Sequence, residues 1–199
     1  MFDIQLRRII DPTLNRIARG LAKNGIGANA LTIFGALAGL AAAIAISQSS
    51  FALALIFIII NRATDGLDGA VARINGPTEF GGYLDSLADF LFYVSVPVAF
   101  GFANSTNQMA ALLLVASFTL TAVSFLAFAA ISARKGAEDA DKPKAFIYST
   151  GLMEGGETIG FFVAFCLLPA HFGVLASIFA GLCLITVGQR LMMAAKAFG

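Results

Sequence analysis

Six long apolar segments decide what this chain can fold into. They are separated by short connections and cover residues 26–47, 51–75, 82–103, 108–133, 146–169 and 172–194. About 20 helical residues cross the hydrocarbon core of a bilayer, so each segment is long enough to span a membrane. Since 58% of the 199 residues are hydrophobic and only 13% are charged, the composition is also that of a membrane protein. The sequence therefore predicts an all-α integral membrane protein with six transmembrane helices.

A shorter amphipathic segment precedes the first span. Between residues 2 and 23, apolar side chains recur at helical spacing: Ile10, Leu14, Ile17 and Leu21. Basic residues occupy the rest of the wheel, a pattern that suits anionic headgroups on one face and acyl chains on the other. Asp11 and Pro12 form a helix-start pair that can break the segment in two. We predict an interfacial helix region over residues 1–24, ahead of a membrane domain over 25–199; the alternative is a solvated helix packed on that domain.

The positions of the basic residues predict the orientation of the chain. The connections near 48–50, 104–107 and 170–171 contain no lysine or arginine, whereas basic residues occur at every opposite end of the spans. The positive-inside rule therefore places both termini in the cytoplasm. A net charge of +1 argues against a nucleic-acid partner, which would require a strongly basic surface.

Four aspartates lie within the second and third apolar segments: Asp65, Asp68, Asp85 and Asp89. An ionisable side chain at membrane depth is costly and is rarely kept unless it faces a partner or a cavity. On two helices, these residues form two acidic faces that can meet. Asp65 follows Phe51 by 14 residues and Asp89 precedes Phe102 by 13, which at about 1.5 Å per residue places both roughly 10 Å inside the cytoplasmic edge of a core about 30 Å thick.

Carboxylates clustered without histidine or cysteine suit hard, oxygen-binding cations and argue against zinc. We expect Mg²⁺, or Mn²⁺, and the four side chains can hold one or two ions. Such ions neutralise the charge that develops when a diphosphate is cleaved.

The spacing Asp-x-x-Asp-Gly-x-x-Ala-Arg, followed by Gly-x-x-x-Asp-x-x-x-Asp, resembles the signature of the CDP-alcohol phosphotransferase (CDP-alcohol phosphatidyltransferase) family of membrane enzymes. Every position is filled: Asp65, Asp68, Gly69, Ala72, Arg73, Gly81, Asp85 and Asp89. The resemblance implies that Asp65, Asp68 and Asp85 ligate metal. It also implies that Asp89 is either a further ligand or the general base, with Asp85 and Asp89 as the catalytic carboxylates.

The same resemblance assigns the small and basic residues of the motif to the nucleotide donor. Gly69, Ala72 and Gly81 would let cytosine or a diphosphate approach the backbone, and Arg73 would bind the diphosphate. From physics alone, close helix packing for the glycine and alanine, and a snorkelling arginine, explain the pattern equally well.

An Asn-x-x-Thr-x-x-Gly pattern opens the first span and resembles a second family feature. It comprises Asn29, Thr32 and Gly35, with Ala28 where the family often has proline. The two polar side chains are expected to contact the nucleotide or, alternatively, only to cap the helix.

Four residues are weaker candidates for binding the acceptor alcohol: Glu154, Glu157, Arg134 and Lys135. Family members that use a phosphorylated acceptor often carry arginines in the stretch that here is 152–158, where this chain has glycine and threonine. Two glutamates favour an unphosphorylated polyol or an amino alcohol, although the basic residues can still bind a phosphate.

The resemblance therefore implies a phospholipid-synthesising transferase that moves a phosphatidyl group from CDP-diacylglycerol to an alcohol and releases CMP. A choline or ethanolamine phosphotransferase, with a CDP-alcohol donor and diacylglycerol as acceptor, is the alternative within the family. An ion or proton-coupled transporter is the alternative from another class. The resemblance also implies a homodimer. We predict a location among the lipids of a bacterial inner membrane, and the positive-inside rule places the active site on its cytoplasmic side.

Overall fold

The computed structural model describes residues 2–138 and 155–199, with side chains described in 12–134 and 155–199, and these residues form helices joined by short turns. The helices are α1 (Phe2–Lys23), α2 (Ala28–Ser47), α3 (Phe51–Asn75), α4 (Glu79–Ala103), α5 (Gln108–Glu138), α6 (Gly155–Leu167) and α7 (Phe172–Phe198). Short 3₁₀ turns at Ser105–Asn107 and Pro169–His171 precede α5 and α7. The all-α prediction is confirmed over these residues.

Within the described parts of the chain, four stretches are long and apolar enough to cross a membrane: Ala28–Ser47, Glu79–Ala103, Ser105–Arg134 and Pro169–Phe198. The chain is therefore an integral membrane protein. Helix α3 has 25 residues but carries several charged side chains, and α6 is described over 13 residues because the start of the predicted 146–169 span lies outside the described residues. A total of six spans stays a prediction.

The N-terminal helix is continuous, so the predicted break at Pro12 is wrong. A proline inside a helix removes one backbone hydrogen bond, and packing of α1 against α3 compensates for that loss. Ala18 is fully buried against Ala70 and Val71 of α3, whereas Ile17 is 47% exposed. Part of the apolar face thus packs on the domain, and part of it stays open.

Helix α2 lies close to both α3 and α4 because its inner face is mostly glycine and alanine, the small residues that let membrane helices approach. A Cβ at Gly35 would stand 2.7 Å from Thr64 Oγ1 of α3, and one at Gly39 would stand 2.9 Å from Phe92 Cδ2 of α4. A larger residue at either position would require Thr64 or Phe92 to shift. This close approach brings the start of α2 to the aspartates.

A core of aromatic side chains packs the inside of the bundle. Among the side chains that the structure describes, the fully buried phenylalanines are Phe92, Phe100, Phe162, Phe165, Phe172 and Phe179. Phe100 stacks on Phe172 with ring centroids 4.4 Å apart and on Phe51 at 5.7 Å. Such contacts stabilise beyond the buried area alone. Because Phe51 begins α3 and Phe100 is near the end of α4, this stack sets the two helices in register, so that Asp65 and Asp89 lie at similar depth.

A tight turn joins α3 to α4 at the aspartate end. Gly76 has φ +90°, a backbone conformation that glycine adopts at little cost. Thr78 then caps α4 by accepting a hydrogen bond from the Gly81 amide at 3.0 Å. The turn returns the chain so that Asp85 faces back toward Asp68.

Candidate active site

A cavity of about 420 Å³ lies where α2 begins, α3 ends and α4 begins. Its walls include most of the residues that the sequence assigned to the nucleotide donor: Asn29, Thr32, Gly69, Ala72 and Gly81. Asp68 and Asp85 also line it. The structure thus brings together residues that are up to 56 positions apart in the sequence (29 to 85).

Small residues keep this cavity open. A Cβ at Gly69 would meet only Arg73 Nη1, at 3.5 Å, so no neighbouring helix packs on that glycine. At Gly81 the situation is tighter, because a Cβ would stand 2.9 Å from Thr78 Oγ1 and 3.2 Å from Asn29 Oδ1. Glycine at 81 lets these two side chains stay where they are.

Arg73 lies beside the cavity rather than in its wall. Its residue surface is exposed, and its Nη1 atom lies 3.5 Å from where a Cβ would stand at Gly69, on the same side of α3. The residue is therefore placed at the rim of the cavity.

The four aspartates surround a second, much smaller cavity of about 10 Å³. Its wall is made by the acidic side chains together with polar and small residues: Thr32, Gly35, Ala36, Asn61, Arg62, Asp65, Asp68, Asp85, Ala88 and Asp89. The prediction that the acidic faces of two helices meet is confirmed by this arrangement. The small cavity adjoins the large one, because Thr32, Asp68 and Asp85 line both.

Asp68 is the most enclosed of the four, with 5% of its surface exposed. The hydroxyl of Thr32 lies 2.7 Å from its Oδ2 atom and donates a hydrogen bond to it. Hydrogen bonds to a carboxylate are among the stronger ones in proteins. Thr32 therefore orients Asp68, a role that the sequence alone did not separate from nucleotide contact or helix capping.

Arg62 is the functional neighbour that the sequence interpretation missed. Its Nη2 atom donates to Asp89 Oδ1 at 3.1 Å, and its Nη1 atom lies 3.6 Å from Asp65 Oδ2. Asp65 follows it by three positions, and residues three apart share a helix face. That spacing was the available signal for the pair with Asp65; the pair with Asp89 depends on the meeting of α3 and α4.

The oxygen atoms that line the small cavity suit a hard divalent cation, because they belong to four carboxylates and a threonine hydroxyl, with no histidine or cysteine in its wall. Among the described residues, however, no three histidine, cysteine, aspartate or glutamate side chains are already grouped as an ion would require. Asp65 and Asp89 are turned toward Arg62 instead.

The acceptor candidates are only partly described. Glu157 lies in the first turn of α6 and is half-buried. Arg134 is exposed near the end of α5. Glu154 and the side chain of Lys135 lie outside the described residues.

The profile of the CDP-alcohol phosphatidyltransferase family matches residues 26–197. The chain belongs to this family. It is 42% identical over 197 residues to the inner membrane protein YnjF of Escherichia coli (strain K12), an alignment that covers 96% of this chain and 93% of that protein. It is 39% identical over 93 residues to the archaetidylinositol phosphate synthase of Pyrococcus horikoshii, covering 46% of this chain and 50% of that protein.

Solved structures of Mycobacterium tuberculosis phosphatidylinositol phosphate synthase (PgsA1) share the fold. The complex with manganese and citrate superposes with a TM-score of 0.70 at 21% identity, over 92% of this chain and 88% of that chain. The form with CDP-DAG bound gives 0.69 at 22% identity, over 90% and 92%. With the family match, the protein is a CDP-alcohol phosphatidyltransferase, a membrane transferase of phospholipid biosynthesis.

Proposed function

We propose that this enzyme transfers a phosphatidyl group from CDP-diacylglycerol to an alcohol and releases CMP. The observation that carries the proposal is the shared wall of the two cavities. The larger one has the size of small-molecule sites. It adjoins the small cavity between Asp65, Asp68, Asp85 and Asp89, called the four-aspartate space from here on, because Thr32, Asp68 and Asp85 line both. A nucleotide in the larger cavity would thus present its diphosphate to the carboxylates. A CDP-DAG-bound relative with the same fold supports this donor.

Asp65, Asp68 and Asp85 are the residues that would hold Mg²⁺ or Mn²⁺, with Asp89 as a ligand or as the base. A bound divalent ion neutralises the charge that develops on the diphosphate. Thr32 keeps Asp68 in one orientation through its 2.7 Å hydrogen bond. The manganese in a relative of the same fold supports a divalent ion here.

In the reaction, the acceptor oxygen forms a bond to the phosphorus distal to cytidine. The bond from that phosphorus to the bridging oxygen breaks, and its electron pair leaves with CMP. The hydroxyl proton passes to a carboxylate, for which Asp89 is the candidate because it lies one turn from Asp85 on α4. The product is a phosphodiester.

We assign the protein six spans, cytoplasmic termini and a cytoplasmic active site. Among the described helices, α3 has the length of the spans around it and is set in register with α4 by the stack of Phe51 on Phe100. The name of the E. coli relative supports a bacterial inner membrane. An interfacial α1 and a homodimer complete the proposal.

The acceptor is proposed to be an unphosphorylated polyol or an amino alcohol. The half-buried Glu157 at the start of α6 would repel a phosphate and accept hydrogen bonds from hydroxyl or ammonium groups. Like charges about 4 Å apart repel by several kcal/mol at intermediate dielectric. Phosphorylated alcohols should therefore be the poorer acceptors.

The test incubates purified protein with labelled CDP-diacylglycerol, Mg²⁺ and single alcohols: a neutral polyol, an amino alcohol, glycerol 3-phosphate or inositol phosphate. A neutral or cationic alcohol should give the most labelled lipid. Glu157→Gln should weaken its use while sparing slow hydrolysis of the donor, and Glu79→Gln, an exposed acid in the first turn of α4, is the control for loss of one negative charge. Preference for a phosphorylated alcohol would refute the acceptor proposal and leave the transferase assignment in place.

A further inference from the structure

Arg62 places a permanent positive charge inside the four-aspartate space. Its guanidinium donates from Nη2 to Asp89 Oδ1 at 3.1 Å and faces Asp65 Oδ2 across 3.6 Å. Arginine stays charged at any pH a protein tolerates. One side of the acidic cluster is thus already neutralised by the chain itself.

A neighbouring amide fixes the arginine in this position. Arg62 Nε donates to Asn61 Oδ1 at 2.7 Å, and Asn61 Nδ2 in turn donates to the Gly35 carbonyl of α2 at 2.8 Å. Asn61 is itself buried, with 3% of its surface exposed. The guanidinium is therefore held from its Nε side by a side chain that is anchored to another helix.

Aromatic rings hold the other side of the guanidinium. Its central carbon lies 4.8 Å from the centre of the Phe92 ring and 5.9 Å from that of Tyr93. These are distances at which a cation is attracted to the ring face. Phe92 is 1% exposed, so the rings form a wall rather than a space into which the arginine could withdraw.

The space that remains is small. The cavity between Arg62 and the four aspartates measures about 10 Å³, which is about the volume accessible to a single water-sized probe. A second divalent ion between Asp65 and Asp89 would have to displace a guanidinium that is held by an amide, two carboxylates and two rings. It would also meet that guanidinium as a like charge.

We propose that Arg62 acts as a resident cation in place of a second metal ion, so that this enzyme binds one divalent ion per chain, on the Asp68 and Asp85 side. The proposal rests on the proposed function, because it concerns the metal that the reaction would use. Asp89, held by the shorter contact to Arg62, then acts as the base and not as a metal ligand. Asp65, at the longer contact, remains able to turn one oxygen to the ion.

The test counts Mn²⁺ ions bound to the purified full-length protein in detergent, without donor, from the loss of the electron paramagnetic resonance signal of free Mn²⁺. The wild type should bind one ion per chain, and Arg62→Gln should bind two. Arg16→Gln removes the same charge from an exposed position of α1, outside both cavities, and should still bind one. A wild type that binds two ions, or an Arg62→Gln variant that still binds one, would overturn the proposal.

A second pair of variants covers the case in which Arg62→Gln fails to fold. Under the proposal, Asp89→Asn keeps the single ion with an affinity within about tenfold of the wild type, whereas Asp68→Asn loses it. Loss of the ion in Asp89→Asn would show that Asp89 is a ligand and that Arg62 does not replace a metal.

The ion count tests the role of Arg62, and the enzymatic assay tests the proposed function, so the two proposals can be refuted independently. If the counts are as expected but no CMP is released from CDP-diacylglycerol, the role of Arg62 stands and the proposed function is wrong. If CMP is released but the wild type binds two ions, the function stands and the role of Arg62 is wrong. A wild type that binds no Mn²⁺ would overturn both.

Discussion

The hydrogen bond from Thr32 to Asp68 gives a sharp prediction, because it can be removed without changing the shape of the side chain. Thr32→Val deletes the hydroxyl that lies 2.7 Å from Asp68 Oδ2, in a place where the carboxylate is 5% exposed. Hydrogen bonds to charged groups contribute about 1.5–3 kcal/mol. Removing a partner that orients a metal ligand typically weakens metal binding about 10–100-fold. We therefore expect the Thr32→Val variant to bind Mn²⁺ about 10–100 times more weakly than the wild type.

The assay measures the dissociation constant for Mn²⁺ and the rate of CMP release as a function of Mg²⁺ concentration. Thr32→Ser restores the hydroxyl and should restore binding. Thr64→Val is the matched control, because Thr64 is also buried but its hydroxyl bonds only to carbonyls of its own helix, at 2.9 Å from Ile60 and from Asn61. Wild-type Mn²⁺ affinity in a folded Thr32→Val protein would refute the idea that Thr32 positions a metal ligand.

Two further predictions concern the donor cavity and the topology. Gly81→Ala puts a Cβ 2.9 Å from Thr78 Oγ1, so it should cost the helix cap about 1 kcal/mol and raise the KM for the donor. Gly181→Ala in α7, which has nothing within 4 Å of its Cβ and lines neither cavity, should leave the KM unchanged. Equal KM values for the two variants would contradict the cavity assignment. Cysteines introduced at Ser49 and at the exposed Lys196 should react with an impermeant reagent from opposite sides of the membrane, Ser49→Cys from outside the cell and Lys196→Cys from inside. The two native cysteines are buried and should add little background. Labelling of Lys196→Cys from outside the cell would contradict the orientation.

Most of the fold was predictable because lipid leaves few choices. Spans of about 20 apolar residues, separated by short connections, allow helices with limited freedom at their ends. The residues that begin and end α2, α3 and α7 accordingly lie close to the predicted ones, and the acidic motif lies where two helices meet. The break predicted at Pro12 failed because a helix packed on one side, as α1 is through Ala18, tolerates a missing hydrogen bond.

What the sequence could not show was the pairing inside the site. Thr32 and Asp68 are 36 positions apart, and their contact depends on how closely α2 approaches α3 through Gly35. Arg62 had the appearance of one more basic residue at the end of a span. Its contact with Asp89 requires the register between α3 and α4, which is set by aromatic stacking at the far end of the bundle.

The most direct test of the central claim is metal-dependent CMP release by purified protein supplied with CDP-diacylglycerol and the panel of alcohols. We expect release with Mg²⁺ or Mn²⁺, none after chelation with EDTA, and none from a folded Asp68→Asn variant. Folding of that variant is checked by its thermal transition in detergent. No release by the wild type, release that survives chelation, or full activity in Asp68→Asn would contradict the account.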